Sequence, residues 1–394
     1  MPDDVDALYL TVTGADHPGV TSGLFTVLHE LGATVLEVEQ VVVRDRLLLG
    51  VLVAADRTTD ALQHALGPCA TTLDVQIDVR RIAAAPDPAR VERHHVTVLA
   101  EQLSAGSIAA VAGTLAQHGA NIERIERIAS YPVTSYELMV AGGDPQTLRA
   151  ALSLVAAAEQ VDVAVQPAGL HRRAKRLVVL DVDSTLVQGE VIEMLAERAG
   201  YGAQVAEVTA AAMRGEIDFA ESLRRRVSLL AGLDASVLDD VRDSLRLTPG
   251  ARTLVRTLKR LGCVVGVVSG GFTQVIDGLV QTMALDFAAA NTLEIADGAL
   301  TGRVVGPVVD RASKARALEE FAAAAGVPLA QTVAVGDGAN DLDMLAAAGL
   351  GIAFNAKPVV REAADTAVNV PYLDAILFLL GITREEVEAA DAAD

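Results

Sequence analysis

Leu177-Val178-Val179-Leu180-Asp181-Val182-Asp183-Ser184-Thr185-Leu186 is the stretch on which the fold turns. Four consecutive apolar residues read as a strand buried on both faces, as in parallel sheets. Two carboxylates, two residues apart, then leave the strand's carboxyl end, where open α/β sheets place their sites. One can attack as a nucleophile while the other carries protons, and a divalent cation would offset their repulsion. An Asx-type turn closing a strand reads the same way in isolation. The rest of the chain has to decide.

Three later elements repeat the design of an apolar segment ending in polar groups. Val264-Val265-Gly266-Val267-Val268 runs into Ser269-Gly270-Gly271-Phe272-Thr273. A hydroxyl and two glycines ahead of a helix offer an anion a side-chain donor and unobstructed backbone N–H groups. Lys314, near the start of a helix predicted over Ala315–Ala325, adds a fixed positive charge. Thr332-Val333-Ala334-Val335 leads into Gly336-Asp337-Gly338-Ala339-Asn340-Asp341, so a strand again delivers acids to a glycine-rich turn. Singly, each element is weak: glycine pairs close many turns and most lysines are solvated. No G-x-x-x-x-G-K-[ST] segment occurs, so a nucleotide P-loop is not the explanation.

Between the first two elements the chain reads as helices over Val191–Ala199, Gln204–Met213, Phe219–Leu230 and Ser236–Leu245. At ~100° per residue, Phe219, Leu223, Val227 and Leu230 share one face, and Arg226 lies within it, about 20° from Phe219. Arg224 and Arg225 point away. An inward arginine needs an anion, because an unpaired buried charge is costly. A bound carboxylate or a structural salt bridge would each supply one. Glu190, just past the first strand, is also simply an acid favoured near a helix N-terminus.

Upstream the chain repeats itself. A strand at Leu8–Thr13 and the turn Gly14-Ala15-Asp16-His17-Pro18-Gly19 precede a helix with Leu24, Val27, Leu28 and Leu31 on one face. Strands over Thr34–Val43 and Leu47–Ala54, a helix over Thr59–Leu66 and a strand over Thr72–Val79 complete a β-α-β-β-α-β order. Pro86-Asp87-Pro88 marks a linker. The order then recurs: strand His95–Ala100, helix Ser107–His118, strands Asn121–Ile128 and Ser135–Ala141, helix Pro145–Ala158, strand Val161–Gln166. Matching helix ends, His29-Glu30-Leu31-Gly32-Ala33 and Gln117-His118-Gly119-Ala120-Asn121, support a duplicated module of about 75 residues. The glycine-rich turn exposes N–H groups suited to a carboxylate, although a plain tight turn has the same residues. The basic run His171-Arg172-Arg173-Ala174-Lys175-Arg176 has the charge to bind phosphate or nucleic acid, but is expected to be a solvated connector.

Composition narrows the partners. The chain has 394 residues, enough for two or three domains, and 32 basic against 52 acidic residues give a net charge of −20. That charge repels polyanions, and the absence of Trp removes a base-stacking platform, so no nucleic acid partner is expected. Cys69 and Cys263 form no C-x-x-C unit, which points to a reducing, cytoplasmic setting. The N-terminus Met1-Pro2-Asp3-Asp4 carries no signal-peptide pattern, and no apolar run reaches the ~18 residues needed to span a bilayer, so no membrane partner is expected.

Read in order, D-x-D-S-T-L, S-G-G, Lys and G-D-G-x-N-D resemble the haloacid dehalogenase-like phosphatase superfamily, and within it the phosphoserine phosphatases. The resemblance covers residues 177 to about 380. It implies an α/β chain with a Rossmann-like core over 175–187 and 248–394 and a small helical cap at about 188–247. The repeats resemble ferredoxin-like ACT domains over 1–84 and 91–168, an arrangement found in actinobacterial forms.

The resemblance also assigns roles. Asp181 would be the nucleophile, forming an aspartyl-phosphate, and Asp183 the acid and base. Mg²⁺ would rest on Asp181, the Asp183 carbonyl and Asp337. Ser269, Gly270 and Lys314 would hold the phosphoryl group, with Asn340 beside the substrate and Asp341 in support. Arg226 would bind the carboxylate of O-phospho-L-serine and Glu190 its ammonium, in the last step of serine biosynthesis. ACT domains often bind amino acids at paired interfaces, which implies a homodimer and an L-serine regulatory site near Gly14, Asp16 and Gly19. The corresponding Gly106 turn in the second repeat departs from that pattern. Rival readings are a phosphatase for another small ester such as phosphothreonine, a phosphotransferase, or an amino-acid sensor with an inactive core.

Overall fold

The computed structural model describes residues 7–54, 59–82, 91–169, 172, 174–213 and 216–393. The Pro86-Asp87-Pro88 linker, the Met1–Asp4 terminus, and His171 and Arg173 of the basic connector lie outside the described residues. The chain divides into two compact units, Met1–Val91 and Glu92–Asp394.

The first unit orders β1 (Ala7–Ala15), α1 (Val20–Glu30), β2 (Val35–Val43), β3 (Arg46–Ala54), α2 (Thr59–Thr72) and β4 (Val75–Ile82). The strands form an antiparallel sheet in the order β2-β3-β1-β4. Period-two alternation sends Leu8, Leu10 and Val12 of β1 to the helix-covered face, where they pack with Leu24 and Leu28 of α1. The second helix runs six residues past the predicted Leu66 and carries Pro68 inside it. Leu62, Leu66 and Cys69 continue its buried stripe across the proline, so packing overrides the local breaker. The last strand starts at Val75 rather than Thr72 as a result.

The second unit begins with the same module: β5 (Arg93–Ala100), α3 (Ala105–Gln117), β6 (Asn121–Ala129), β7 (Thr134–Ala141), α4 (Pro145–Glu159) and β8 (Asp162–Pro167). Its sheet order is β6-β7-β5-β8. The larger part of the unit is built on seven strands: β9 (Leu177–Leu180), β10 (Val264–Phe272), β11 (Phe287–Ala296), β12 (Ala299–Val305), β13 (Thr332–Gly336), β14 (Gly351–Phe354) and β15 (Thr366–Val368). Their order is β12-β11-β10-β9-β13-β14-β15, parallel except for the edge strand β12. All four residues of β9 are buried, as a central strand covered on both faces requires. Chain order reverses on either side of β9, which opens a crevice at its carboxyl end.

Four helices, α5 (Val191–Arg198), α6 (Gly202–Met213), α7 (Phe219–Ser228) and α8 (Val237–Ser244), form the cap. Their core shares Leu195, Leu223 and Val241 with Phe272, Leu293 and Leu300 of the neighbouring β10–β12 segment. The chain enters and leaves the cap side by side: Val187 bridges Leu247, and the Gln188 N–H donates to the Arg246 carbonyl at 2.8 Å. Beyond β10 follow α10 (Thr273–Thr282) and α11 (Arg311–Ala325), while α9 (Ala251–Arg260) precedes it.

The second module is fused to this core. Leu99, Ile128, Ala129, Val133 and Ala164 share one apolar cluster with Leu373 and Ile376–Leu380. Polar contacts tie the same seam. Asp162 accepts the Asn369 backbone N–H and Nδ2, both at 2.6 Å, and Gln166 Nε2 donates to the Leu379 carbonyl at 2.8 Å. Nor is the basic connector simply solvated. Arg172 is buried and paired with Glu137, and Lys175 donates to the Ala330 carbonyl at 2.8 Å.

Candidate active site

Asp181 leaves β9 directly, its N–H donating to the Val335 carbonyl at 2.9 Å, so it is pinned between the central strands. Its Oδ1 accepts the Val182 N–H at 2.8 Å and lies 2.7 Å from Lys314 Nζ. Lys314 is fully buried and also donates to Asp341 Oδ1 at 2.6 Å. It sits in the first turn of α11, which begins at Arg311, four residues before the predicted Ala315. Asp310 caps that helix by accepting the Ser313 N–H, and this fixes the lysine's direction.

Asp183 follows after one residue, and Ser184 then takes a left-handed conformation (φ 58°) with its N–H on the Gly189 carbonyl at 3.0 Å. The Asp183 carboxylate is held by two donors from other elements. Oδ1 accepts the Val191 N–H at 2.8 Å and Oδ2 accepts Ser269 Oγ at 2.9 Å. Ser269 Oγ in turn accepts the Gly271 N–H at 2.8 Å. Glycine is required at 271 because a Cβ there would lie 2.9 Å from Asp183 Oδ2. Gly270 faces the cap, where Phe219 of α7 reaches within 3.3 Å of the position a Cβ would take.

The turn after β13 completes the acidic cluster. Asp337 Oδ1 accepts Thr185 Oγ1 at 3.3 Å, and Asp341 Oδ2 accepts the Gly338 N–H at 2.9 Å. Carboxylate oxygens of Asp181, Asp337 and Asp341 all lie within 4.8 Å of one another. Asn340 is half-buried on the same turn.

On the cap side, Glu190 Oε1 accepts Ser184 Oγ at 3.0 Å. Arg226 is 9% exposed, while Arg224 and Arg225 face solvent. Among the described residues no carboxylate pairs with Arg226, whose guanidinium bonds only the Ser222 carbonyl, at 3.4 Å. Glu190, Glu193 and Asp183 are the negative groups near enough to act on it.

The site is short of positive charge. Burial, then the Asp341 charge, push Asp181 well above the usual carboxylate range, with Lys314 pulling the other way. Burial also raises Asp183. Asp337 is pushed up to about 6 by burial and by Asp341. Burial and the Asp183 charge lift Glu190 to about 7. Burial opposes the charge on Lys314, yet its two carboxylate partners hold it above the ordinary lysine value. Three clustered carboxylates, all oxygen donors and one of them driven up to about 6, suit a hard divalent cation that would supply the missing charge.

Two contributors escaped the sequence reading. Thr185 stood inside the quoted D-x-D-S-T stretch without a role, and it orients Asp337 while its carbonyl accepts Thr248 Oγ1 at 2.7 Å. Asn291 carries no local signal at all. It is buried in β11, donating to the Gly270 carbonyl and accepting the Val309 N–H, both at 2.8 Å, and so ties the glycine loop to the approach to α11.

The two modules differ at their turns. Asp16, His17, Gly19, Thr21, Ser22 and Gln40 border a cavity of about 380 Å³, with Gly14 just before it at the end of β1. In the second module Ser104 Oγ accepts the Ser107 N–H at 3.0 Å and meets Ser107 Oγ at 2.9 Å, capping its own helix around Gly106.

A doubly flanked parallel sheet with acids at its switch point, a buried lysine and a helical cap defines a haloacid dehalogenase-like hydrolase. That family matches residues 175–349, and ACT domains match residues 6–80 and 92–166. A phosphoserine phosphatase of Streptomyces coelicolor is 60% identical over 390 residues, 98% of this chain and 95% of the relative. One from Mycobacterium tuberculosis is 57% identical over 401 residues, covering 100% and 97%. Among solved structures, a probable phosphoserine phosphatase from Vibrio cholerae superposes with a TM-score of 0.59 at 36% identity, over 77% of this chain and 90% of that one. A phospho-aspartyl intermediate analogue of a phosphoserine phosphatase matches with a TM-score of 0.50 at 43% identity, over 52% and 98%. The chain belongs to the phosphoserine phosphatase family, in the form that carries two ACT domains.

Proposed function

We propose that the chain hydrolyses O-phospho-L-serine to L-serine and phosphate with Mg²⁺, as the last step of serine biosynthesis in the cytoplasm. The observation that carries this reading is the buried Arg226, which lacks a carboxylate partner among the described residues, with Glu190 near the same acids. A substrate carboxylate completes the arginine by two parallel hydrogen bonds, and its ammonium meets Glu190. The relatives' names and a phosphoserine phosphatase solved with substrate bound support the same choice.

Asp181 attacks phosphorus in line, and the bond from phosphorus to the serine oxygen breaks as Asp183 gives that oxygen its proton. Asp183, now a carboxylate, takes a proton from the water that opens the aspartyl-phosphate, releasing phosphate and restoring Asp181. Ser269, Gly270 and Lys314 hold the phosphoryl oxygens, Asn340 stands beside them, and Asp341 keeps Lys314 in place. Asp181, the Asp183 carbonyl and Asp337 would hold Mg²⁺, which when bound neutralises charge on the phosphoryl group and on Asp181. The cap excludes water while phosphoserine is bound.

Asp181→Asn should lower turnover by at least about a thousandfold with an unchanged melting temperature. Phosphate release close to wild type would remove Asp181 as nucleophile. Arg226→Ala should reduce kcat/KM for phosphoserine about a hundredfold, and far less for a phosphate ester without a carboxylate. Equal losses on both would make Arg226 structural. Because Glu190 stands near 7, it ionises as pH rises from 6 to 8, so KM for phosphoserine should fall over that interval. In Glu190→Gln the part of that dependence above pH 7 should be lost, leaving the contribution of groups that titrate near 6, such as Asp337.

The first-module cavity takes L-serine as a feedback signal, and the modules form a homodimer. The exposed apolar residues Leu36, Val38 and Val41–Val43 on β2 support such an assembly. Calorimetry with L-serine and sedimentation of the full chain test both. A monomer that binds no serine would refute them.

A further inference from the structure

A second cavity, of about 290 Å³, lies where the second module meets the phosphatase core. Three cations border it, Arg149 from α4, Arg172 from the connector and Lys175 just before β9, against the single carboxylate of Asp365. This is a local excess of positive charge in a chain of net charge −20. Asp365 is already engaged on both oxygens, with Arg149 at 3.3 Å and the Gly351 N–H at 2.9 Å. Arg149 also donates to the Val165 carbonyl at 3.3 Å, and the Lys175 ammonium has its one hydrogen bond among the described residues on the Ala330 carbonyl. Arg172 pairs with Glu137 from the module's side, donates to the Leu379 carbonyl at 3.4 Å, and its side chain is only 2% exposed. Its Nε, like that of Arg149, is buried without a hydrogen-bond partner. Even counting Glu137, three cations meet two carboxylates, and Arg149, with 40% of its side chain exposed, can reach a bound ion.

We propose that this cavity is a binding site for a small oxyanion, held by Arg149, Arg172 and Lys175. The residues bordering it precede the core strands: Lys175 comes before β9, Ala330 before β13, Gly349 before β14 and Asp365 before β15. The cavity therefore lies at the amino edge of the sheet, opposite the acids at its carboxyl edge, with the length of β9 (about 13 Å for four residues) between them. A bound anion joins α4 of the module to the entrances of four core strands and adds to the stability of that junction by mass action. Phosphate and carboxylate present the same paired oxygens to a guanidinium, so either ion is accommodated. The proposal does not depend on the reading of the catalytic site.

Crystals of the full chain soaked in selenate resolve this cavity from any anion in the catalytic pocket. The expected result is an anomalous peak within hydrogen-bond distance of Arg149 and Lys175, absent in an Arg149→Met/Lys175→Met variant. Arg172 is left intact because its pair with Glu137 helps close the junction. In solution, inorganic phosphate and malonate are titrated separately into wild type and the double variant. The stronger of the two should weaken at least tenfold in the variant, while KM for phosphoserine stays within twofold. Stronger phosphate binding assigns the cavity to phosphate-bearing ions, and stronger malonate binding to carboxylates. An empty cavity beside an occupied catalytic pocket, or undiminished anion binding in the variant, overturns the proposal.

Discussion

The two ACT modules share one topology and bury matching stripes of their first helices, Leu24 and Leu28 in one, Val111 and Leu115 in the other. They differ on the sheet face turned away from those helices. In the first module that face leaves Tyr9 and Leu48 41% and 48% exposed. In the second, Thr97, Leu99 and Ser135 are fully buried, and Leu99 joins the apolar cluster of Leu373 and Ile376–Leu380. One fold thus presents a partly exposed sheet face in one copy and an internal wall in the other. A duplicated module can be absorbed into an enzyme by changing only every second residue of its strands.

Truncation should separate the copies most sharply. Residues 92–394 keep the second unit whole and should remain soluble and hydrolyse phosphoserine. Residues 175–394 would bare the apolar cluster at Leu373–Leu380 and should aggregate, as size-exclusion chromatography would show. A soluble, active 175–394 fragment would erase the distinction between the modules. At smaller scale, Leu99→Asp buries an unpaired charge and should cost about 4 kcal/mol, whereas Thr13→Asp, on the outward face of β1, should stay within about 1 kcal/mol in denaturant melts. Similar costs at both sites would mean that the first module's face is covered too. The smallest effect is expected at the turns. His17→Leu with Gln40→Leu should weaken L-serine binding about tenfold with turnover unchanged, and Ser104→Ala should leave it as it was. A loss from Ser104→Ala would place the amino acid in the second module instead.

The phosphatase core was legible wherever chemistry and strand lie within a few residues of each other. Asp181, Ser269 and Asp337 each follow a run of apolar residues, so buried strands and their polar ends could be read together. The inward direction of Arg226 follows from helical spacing alone. Relations across long separations were not legible. Nothing near Gln166 announces the Leu379 carbonyl, more than 200 residues on, and nothing near Asn291 announces Gly270. The connector misled because Arg172 and Lys175 have the composition of a solvated run, and only the fold surrounds them with the module on one side and strand ends on the other. The second helix also runs beyond the expected Leu66 and through Pro68, since a proline rule is local and the buried stripe around it is not.

The pairing of Val187 with Leu247 has a consequence for how this chain could change. Partners in an antiparallel bridge stand about 5 Å apart, so the 59 residues from Gln188 to Arg246 are inserted through a narrow doorway. A different lid, longer, shorter or missing, could be spliced into that doorway without rethreading a single strand of the sheet. What is admitted to the acids resides on the inserted piece, and its link to what the acids then do is the Val191 N–H held on Asp183.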